Sequence, residues 1–231
     1  MVTEILPPDL LERLRSFNSP TVANAIEVFD VRPRHEGFMR PEIRCVFPRL
    51  GAMVGYAVTL KIQSISPGAK GAAIPPSVHW QDVLKVPAPR VIVVEDLDDP
   101  PGLSSFWGEV NGNLHRALGC VGAVTNGCVR DLEEVEALRF HFFAQHIAVS
   151  HAYVHIVEAG TPVRVDGLTV RPGDLLHGDR HGVTNIPWEL AARIPEGVET
   201  VAQMERELIS YAQSDGFTVE GLTALWRRLR G

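Results

Sequence analysis

The segment from Trp107 to Leu138 constrains the fold most, because apolar-periodic stretches and turn formers follow one another there in a clear order. A glycine-rich loop at 108–112 precedes a helical pattern, and the apolar run at 121–124 is typical of a short buried strand. Asn126-Gly127 predicts a turn, and a second helix is predicted from Leu132 to Leu138. Polar residues such as Glu109, Arg130 and Asp131 fall at the junctions between these elements. We therefore expect the functional side chains at these junctions, since sites often lie on loops held by a rigid scaffold.

Strand and helix patterns alternate along the rest of the chain. The continuous apolar run Val91–Val94 predicts a strand buried on both faces. Residues 51–63 alternate as a strand does, and residues 160–170 predict a hairpin. Helices are predicted near both ends, at 6–17, 22–29, 186–190, 198–213 and 219–229. Mixed strands with interspersed helices predict an α/β architecture.

Composition is that of an ordinary globular protein. The chain has 231 residues, of which 45% are hydrophobic and 22% charged, so one sizeable core in a single domain is expected. A net charge of −6 disfavours a broad nucleic-acid surface. The three cysteines, Cys45, Cys120 and Cys128, form no CxxC pair, which disfavours a zinc ribbon and suits a reducing cytoplasm. No signal-like start or bilayer-length apolar run is present, so we expect a cytoplasmic protein without a membrane partner.

The spacing of charged residues in the central segment is its most specific feature. Glu109 and Arg130 are separated by 20 residues, and Asp131 follows directly. This resembles the acidic-x20-Arg-Asp signature of the RraA-like family, which includes divalent-metal-dependent 4-hydroxy-4-methyl-2-oxoglutarate aldolases that also decarboxylate oxaloacetate. The Gly55-Tyr-Ala-Val-Thr59 segment resembles an early family strand. Residues 172–187 resemble its Pro-Gly-Asp…Asp-x-x-Gly-Val…Ile-Pro segment, so that the matches extend over roughly residues 20 to 210.

The resemblance implies a fold and an assembly. It implies the β/β/α swivelling-domain fold with flanking helices, in a single domain over residues 1–231 with a core of about 20–210 and a helical extension at 211–231. It also implies a homotrimer or homohexamer with sites between subunits. Glu205 is then a candidate contribution to a neighbouring subunit's site, and Glu207 is an equally possible alignment.

The resemblance also implies the roles of the site residues. Asp131 would bind Mg²⁺ or Mn²⁺, Glu109 would act on the metal through a water molecule, and Arg130 would bind a pyruvate-type substrate. These roles suit a lyase, because cleavage of a 2-oxo acid leaves an enolate that a Lewis acid stabilises. Mg²⁺ prefers carboxylate oxygens, and the guanidinium fork suits a carboxylate. We expect the backbone amides of the glycine-rich loop to bind the substrate carboxylate; they belong to Gly108, Val110, Asn111 and Gly112.

Other interpretations of these residues stay open at the level of sequence. Asp131 with Glu134 three positions later is a capping-box-like pattern, in which Asp131 only caps its own helix. Two histidine pairs four apart could bind a transition metal; they are His151 with His155 and His177 with His181. The family also contains proteins that bind and inhibit a ribonuclease, so a non-catalytic regulator is the alternative function.

Charged loops supply further candidates. Lys70, in the small-residue loop 64–78, could meet an anionic substrate. The carboxylates after the buried strand could hold a metal, although their sequence is also ordinary turn composition; they are Asp96, Asp98 and Asp99. Five arginines in the 30–50 segment could form an anion site, or they could be solvated or subunit-interface side chains; they are Arg32, Arg34, Arg40, Arg44 and Arg49.

Overall fold

A nine-stranded mixed sheet organises the chain in a computed structural model that describes residues 5–69 and 73–230. Its strands are β1 (Arg44–Cys45), β2 (Met53–Gln63), β3 (Arg90–Asp96), β4 (Ser105–Trp107), β5 (Cys120–Val129), β6 (His141–Ile147), β7 (His155–Ala159), β10 (Leu175–Asp179) and β11 (Gly182–Ile186). The main path is β1-β6-β5-β3-β2-β10-β11, with β4 beside β5 and β7 beside β2. Two further strands, β8 (Val163–Val165) and β9 (Leu168–Val170), form a separate hairpin. The predicted α/β architecture and hairpin are confirmed.

The described ranges also contain seven α-helices. They are α1 (Pro8–Arg15), α2 (Ser19–Glu27), α3 (Pro76–Leu84), α4 (Glu109–Ala117), α5 (Leu132–Ala137), α6 (Ile194–Ala212) and α7 (Val219–Arg230). Short 3-10 turns cover Pro48–Leu50 and Trp188–Leu190, and the second of these replaces the helix predicted at 186–190. None of the described helices is both long enough and apolar enough to cross a bilayer.

The centre of the sheet is parallel. The strand pairs β2–β3, β3–β5 and β5–β6 are all parallel, so the carboxyl ends of these strands lie at one edge of the sheet. The strand β3 is buried on both faces, as the sequence predicts. Ile92 and Val94 join the cluster that contains the helices, while Val91 and Val93 join the cluster that contains the β8–β9 hairpin. The core therefore lies in two layers, one on each side of the sheet.

The predicted turn at Asn126-Gly127 is wrong, because β5 continues through both residues to Val129. Its pairing with β6 is irregular between Thr125 and Cys128. The Asn126 side chain accepts a hydrogen bond from the Asp96 amide at 2.8 Å and donates to the Asp96 carbonyl at 3.0 Å. The side-chain amide thus continues the contact between β5 and β3 beyond the last backbone pair, Val94 with Thr125, and two turn-forming residues lie inside a strand.

Candidate functional site

Two helices begin side by side at the carboxyl edge of the sheet. The short strand β4 runs parallel to the end of β5, with Trp107 opposite Val129. The Trp107 carbonyl accepts a hydrogen bond from the Arg130 amide at 3.0 Å. One residue separates the end of this ladder from α4, which begins at Glu109, and two residues separate it from α5, which begins at Leu132. The sheet therefore brings Glu109, Arg130 and Asp131 together, although 20 residues separate the first two in sequence.

The carboxylate of Asp131 contacts the neighbouring helix and not its own. Asp131 has φ 55° and ψ 51°, the left-handed region that few non-glycine residues adopt. Its Oδ2 accepts a hydrogen bond from the Glu109 amide at 2.9 Å, at the start of α4. No side-chain cap is formed on α5. The capping-box interpretation with Glu134 is therefore wrong, because the left-handed backbone turns the carboxylate towards α4.

Arg130 lies next to this carboxylate but forms no hydrogen bond with it. Its Nε is 3.6 Å from Asp131 Oδ2, and the side chains are 34% and 35% exposed. That separation exceeds an N–H···O hydrogen bond. Within residues 5–69 and 73–230, no side chain or amide donates to Asp131 Oδ1. The terminal nitrogens of Arg130 and one carboxylate oxygen of Asp131 are therefore available to a ligand.

Gly108 makes this arrangement sterically possible. A Cβ at Gly108 would lie 2.3 Å from Asp131 Oδ2 and 3.2 Å from Arg130 Cγ. Real Cβ atoms do not come so close to an oxygen, and the backbone at Gly108 is extended, so close approach is the reason for a glycine here. The glycine accommodates the Asp131 carboxylate, a role different from the predicted one of admitting substrate.

The predicted loop at 108–112 is mostly helix. Because α4 begins at Glu109, the Gly112 amide is already bonded to the Gly108 carbonyl at 2.8 Å, and the prediction that it binds substrate is wrong. The Glu109 amide is bonded to Asp131. Amides in the first turn of a helix lack intrahelical acceptors, so those of Val110 and Asn111 remain as donors at this end of α4.

A buried histidine pair, absent from the sequence predictions, anchors the first turn of α4. Asn111 Nδ2 donates to the Phe106 carbonyl at 2.6 Å, and His115 Nδ1 lies 2.8 Å from the Asn111 carbonyl. His115 Nε2 lies 2.9 Å from Nε2 of His79 on α3. Burial lowers the pKa of both imidazoles to about 4, and both are neutral at pH 7. The i, i+4 spacing of Asn111 and His115 is the one sequence signal for this anchor.

The histidine pairs singled out in the sequence do not form a metal site. His177 is buried between Ser19 Oγ at 3.0 Å and the Phe17 carbonyl at 3.1 Å, while His181 contacts Asp179. His151 and His155 each contact a nearby backbone carbonyl. Residues 5–69 and 73–230 contain no group of three or more His, Cys, Asp or Glu side chains that could hold a metal ion. His177 therefore joins β10 to the start of α2 and the segment before it, whereas the other three histidines contact residues one or two positions away in sequence.

The acidic residues at the end of β3 and just after it hold neighbouring loops through hydrogen bonds. Asp96 accepts a hydrogen bond from the Gly102 amide at 2.9 Å, and Asp98 accepts one from the Ser64 amide at 2.9 Å. Burial raises the pKa of the Asp96 carboxyl. Both carboxylates are buried and accept hydrogen bonds from backbone amides, and Asp98 also accepts one from the Ser64 hydroxyl, which favours the turn interpretation over a metal site.

The remaining charged candidates lie away from Asp131 or outside the described ranges. Arg32 donates to the Asn185 carbonyl at 3.2 Å, and Arg34 pairs with Glu27 at 3.4 Å. These two arginines contact other residues of the chain, and Arg40, Arg44 and Arg49 are exposed. Lys70 lies outside the described residues.

Glu205 is exposed on α6, where it lines a surface cleft with residues of α2. This cleft includes no residue of α4 or α5. Glu207 pairs with Arg228 on α7. Of the two glutamates, Glu205 is the one left open to a second subunit, and its contribution there stays a prediction.

Comparison with known proteins identifies the family of this chain. The family model "RraA-like: Aldolase/RraA" matches residues 20–184. Protein DlpA of Legionella pneumophila is 26% identical over 224 residues, which are 92% of this chain and 33% of DlpA, so the chain spans about a third of that relative. A Cupriavidus necator protein named "Putative 4-hydroxy-4-methyl-2-oxoglutarate aldolase" is 30% identical over 150 residues, 63% of this chain and 81% of that protein.

A solved structure shows the same fold. Streptomyces coelicolor RraAS2, described as an unusual member of the RNase ES inhibitor RraA protein family, superposes with a TM-score of 0.67 at 18% identity. The match covers 91% of this chain and 100% of that one. The expected RraA-like α/β fold with flanking helices is thereby confirmed. With a family model that spans most of its length and a matching fold, the chain belongs to the RraA-like family.

Proposed function

We propose that this protein is a divalent-metal-dependent lyase that cleaves 4-hydroxy-2-oxo acids and decarboxylates oxaloacetate. The observation that carries the proposal is the position of the Asp131 carboxylate. It is held in a left-handed conformation, bonded to the first amide of α4, with Arg130 beside it. Strained non-glycine residues persist where the surrounding structure demands them, and they cluster at functional sites. A residue that served only to cap its own helix would not need this conformation.

The donor set fits Mg²⁺ or Mn²⁺. Asp131 Oδ1 is open, and the carboxylate of Glu109 is exposed on the neighbouring first turn. Mg²⁺ is commonly held by one or two carboxylates with several waters, so a site with two acids from one subunit suits it. When bound, such a cation supplies a Lewis acid that stabilises the enolate oxygen.

The chain's own groups would bind and orient the 2-oxo acid. Arg130 offers a planar fork to the substrate carboxylate, because its contact with Asp131 leaves its terminal nitrogens unused. The amides of Val110 and Asn111 and the positive end of the α4 dipole favour the same negative charge. Glu109 lies on the same first turn of α4, and its carboxylate would hold or move a proton next to the bound substrate.

The alternative is a non-catalytic regulator that binds a ribonuclease. Its support is the likeness to RraAS2, at an identity that carries the fold alone. Fold does not separate the two functions, and only the site can. A regulator would need neither the left-handed Asp131 nor an unused guanidinium next to it.

The test is pyruvate release from a panel of 4-hydroxy-2-oxo acids and oxaloacetate, with Mg²⁺ or Mn²⁺ present and with excess chelator as the control. We expect metal-dependent pyruvate release. We also expect competitive inhibition by oxalate that is tighter than that by pyruvate, because oxalate resembles the enolate. Full turnover in chelator would contradict the metal-dependent mechanism. No pyruvate from any acid, no oxalate binding and retention of a ribonuclease in a pull-down would favour the regulator.

A further inference from the structure

A second cleft lies at the opposite edge of the sheet from Asp131. Its volume is about 530 Å³, and it is lined by the end of α1, the turn before β2, and the starts of β5 and β6. Because β5 and β6 are parallel, their first residues lie at one edge and Arg130 lies at the other. The polar side chains of the lining are Glu12, Arg15, Ser16, Arg139 and His141. None of them belongs to the site proposed for the lyase.

His141 presents a hydrogen-bond donor to this cleft. The residue is only 8% exposed, and its Nδ1 is sealed from solvent with no hydrogen-bond partner among the described residues. The edge of the ring that meets the cleft therefore carries Nε2. A buried N–H without an acceptor is rarer and less favourable than a buried lone pair without a donor. The favoured neutral tautomer therefore has its proton on Nε2, directed towards the cleft.

Two guanidinium groups flank this donor. Burial, and then the charges of Arg15 and Arg139, lower the pKa of His141 to about 4. Arg15 is ion-paired with Glu12, which also lines the cleft. Arg139 has no ion-pair partner within residues 5–69 and 73–230. With His141 neutral, the side chains that line the cleft carry one uncompensated positive charge.

The backbone of Arg139 is itself unfavourable for an arginine. Arg139 follows the end of α5 with φ 56°, a position where helices usually have glycine. The left-handed conformation is unfavourable for a residue with a Cβ, because the Cβ approaches the following carbonyl oxygen. The chain thus has a cation at the mouth of the cleft where backbone preference alone would select glycine.

We infer that this cleft binds a small oxyanion, a phosphate or carboxylate group, between Arg139, Arg15 and the Nε2 proton of His141. Guanidinium groups match the paired oxygens of both anions. Glu12 opposes binding and competes for Arg15. Removing its charge strengthens binding, whereas removing Arg139 weakens it. The inference is independent of the proposed lyase activity.

The experiment follows the pKa of His141 by NMR in the intact protein, first without ligand and then with inorganic phosphate or malonate in separate arms. An anion that neutralises the flanking guanidiniums favours the protonated imidazole, so the pKa of His141 should rise from about 4 to about 5 or above. The dissociation constant is read from the same titration. Phosphate alone, malonate alone or both producing this rise supports the inference.

Variants distinguish anion binding in this cleft from a general effect of the protein's charge. Arg139→Gly removes the cation and relieves the backbone, so it should fold and bind at least about tenfold more weakly, because charge-assisted hydrogen bonds to the anion are lost. Arg139→Gln also removes the charge but keeps a side chain, and it replaces Arg139→Gly in the measurement if the glycine variant does not fold as the wild type does. Glu12→Gln should bind more tightly, by about threefold or more. Arg13→Gln, an exposed change on the same helix outside the cleft, should leave binding unchanged. No response of His141 to either anion, or the same response in Arg13→Gln and Arg139→Gly, would overturn the inference.

Discussion

The Asp131 carboxylate accepts a hydrogen bond from the Glu109 amide at 2.9 Å, and this contact joins the starts of two helices. Each residue follows a strand of the same parallel pair, so the contact depends on the β4–β5 register. It leaves Asp131 Oδ1 and the Arg130 terminal nitrogens open to a ligand. The following predictions test the site built around this contact.

Asp131→Asn should abolish most activity while leaving the fold intact. Asparagine tolerates the left-handed conformation, and its amide oxygen can accept from Glu109, but it lacks the charge that a cation needs. We expect kcat/KM on oxaloacetate to fall by at least about 100-fold. Asp131→Ala should be inactive and also less stable, by about 1–2 kcal/mol. Urea unfolding measures stability, and wild-type turnover by either variant would contradict the role of Asp131.

Arg130→Lys should be impaired although the charge is kept. Lysine provides a point charge and cannot form the two parallel hydrogen bonds of the guanidinium fork. Loss of one charge-assisted hydrogen bond should lower kcat/KM by about 10–100-fold. Arg116→Lys, an exposed change in the last turn of α4, is the matched control. Equal kcat/KM for the two variants would place Arg130 outside the site.

Gly108→Ala should destabilise the protein and lower its activity together. The added Cβ would meet Asp131 Oδ2 at 2.3 Å, so the carboxylate or the start of α4 must shift. Overpacking of this kind costs about 1–3 kcal/mol. Gly216→Ala is the control, because a Cβ there meets nothing within 4 Å. If Gly108→Ala unfolds at the wild-type urea concentration, the close approach is not a constraint.

Stability should fall as the pH decreases from about 6.5 to about 4. His79, His115 and His141 have an ordinary pKa of 6.5, and burial lowers it to about 4 in the folded protein. The unfolded chain therefore binds more protons in this window, and stability that is complete above pH 6.5 is lost towards pH 4. Replacing His115 by Asn should reduce this slope by up to about 1.4 kcal/mol per pH unit. Urea unfolding from pH 7 to pH 4.5 measures it, and an unchanged slope in the variant would contradict the prediction.

We propose that the active form is a homotrimer or homohexamer in which Glu205 completes a neighbour's site. Asp131→Asn and Glu205→Gln should each be inactive alone. Mixed and reassembled, they should regain activity at about a quarter of the sites, since both intact residues meet in that fraction of random cyclic interfaces. Glu207→Gln is the matched control and should remain active. An active monomer in light scattering, or no recovery on mixing, would contradict a shared site.

The sequence alone determined the α/β class, most strands and the family, and it supplied the residues of the candidate site. Periodicity located β2, β3 and the β8–β9 hairpin. A strand buried on one face has alternating apolar residues, and a strand buried on both faces has a continuous apolar run. The spacing of Glu109, Arg130 and Asp131 identified the family, which the family match confirms. The predicted ends of elements were less accurate. For example, α6 begins at Ile194, before the predicted start at Val198.

Tertiary structure alone decided how these residues are used. Whether the Asp131 carboxylate contacts its own helix or the preceding helix α4 depends on one left-handed φ angle and on the β4–β5 register, and neither has a local sequence pattern. Asn126-Gly127 lies inside a strand because its partner, Asp96, comes from another strand 30 residues earlier. The His79–His115 pair and the Arg15–His141–Arg139 cluster likewise join distant segments. Residue order records local preferences and burial, whereas the direction of a side chain depends on neighbours that only the folded chain supplies.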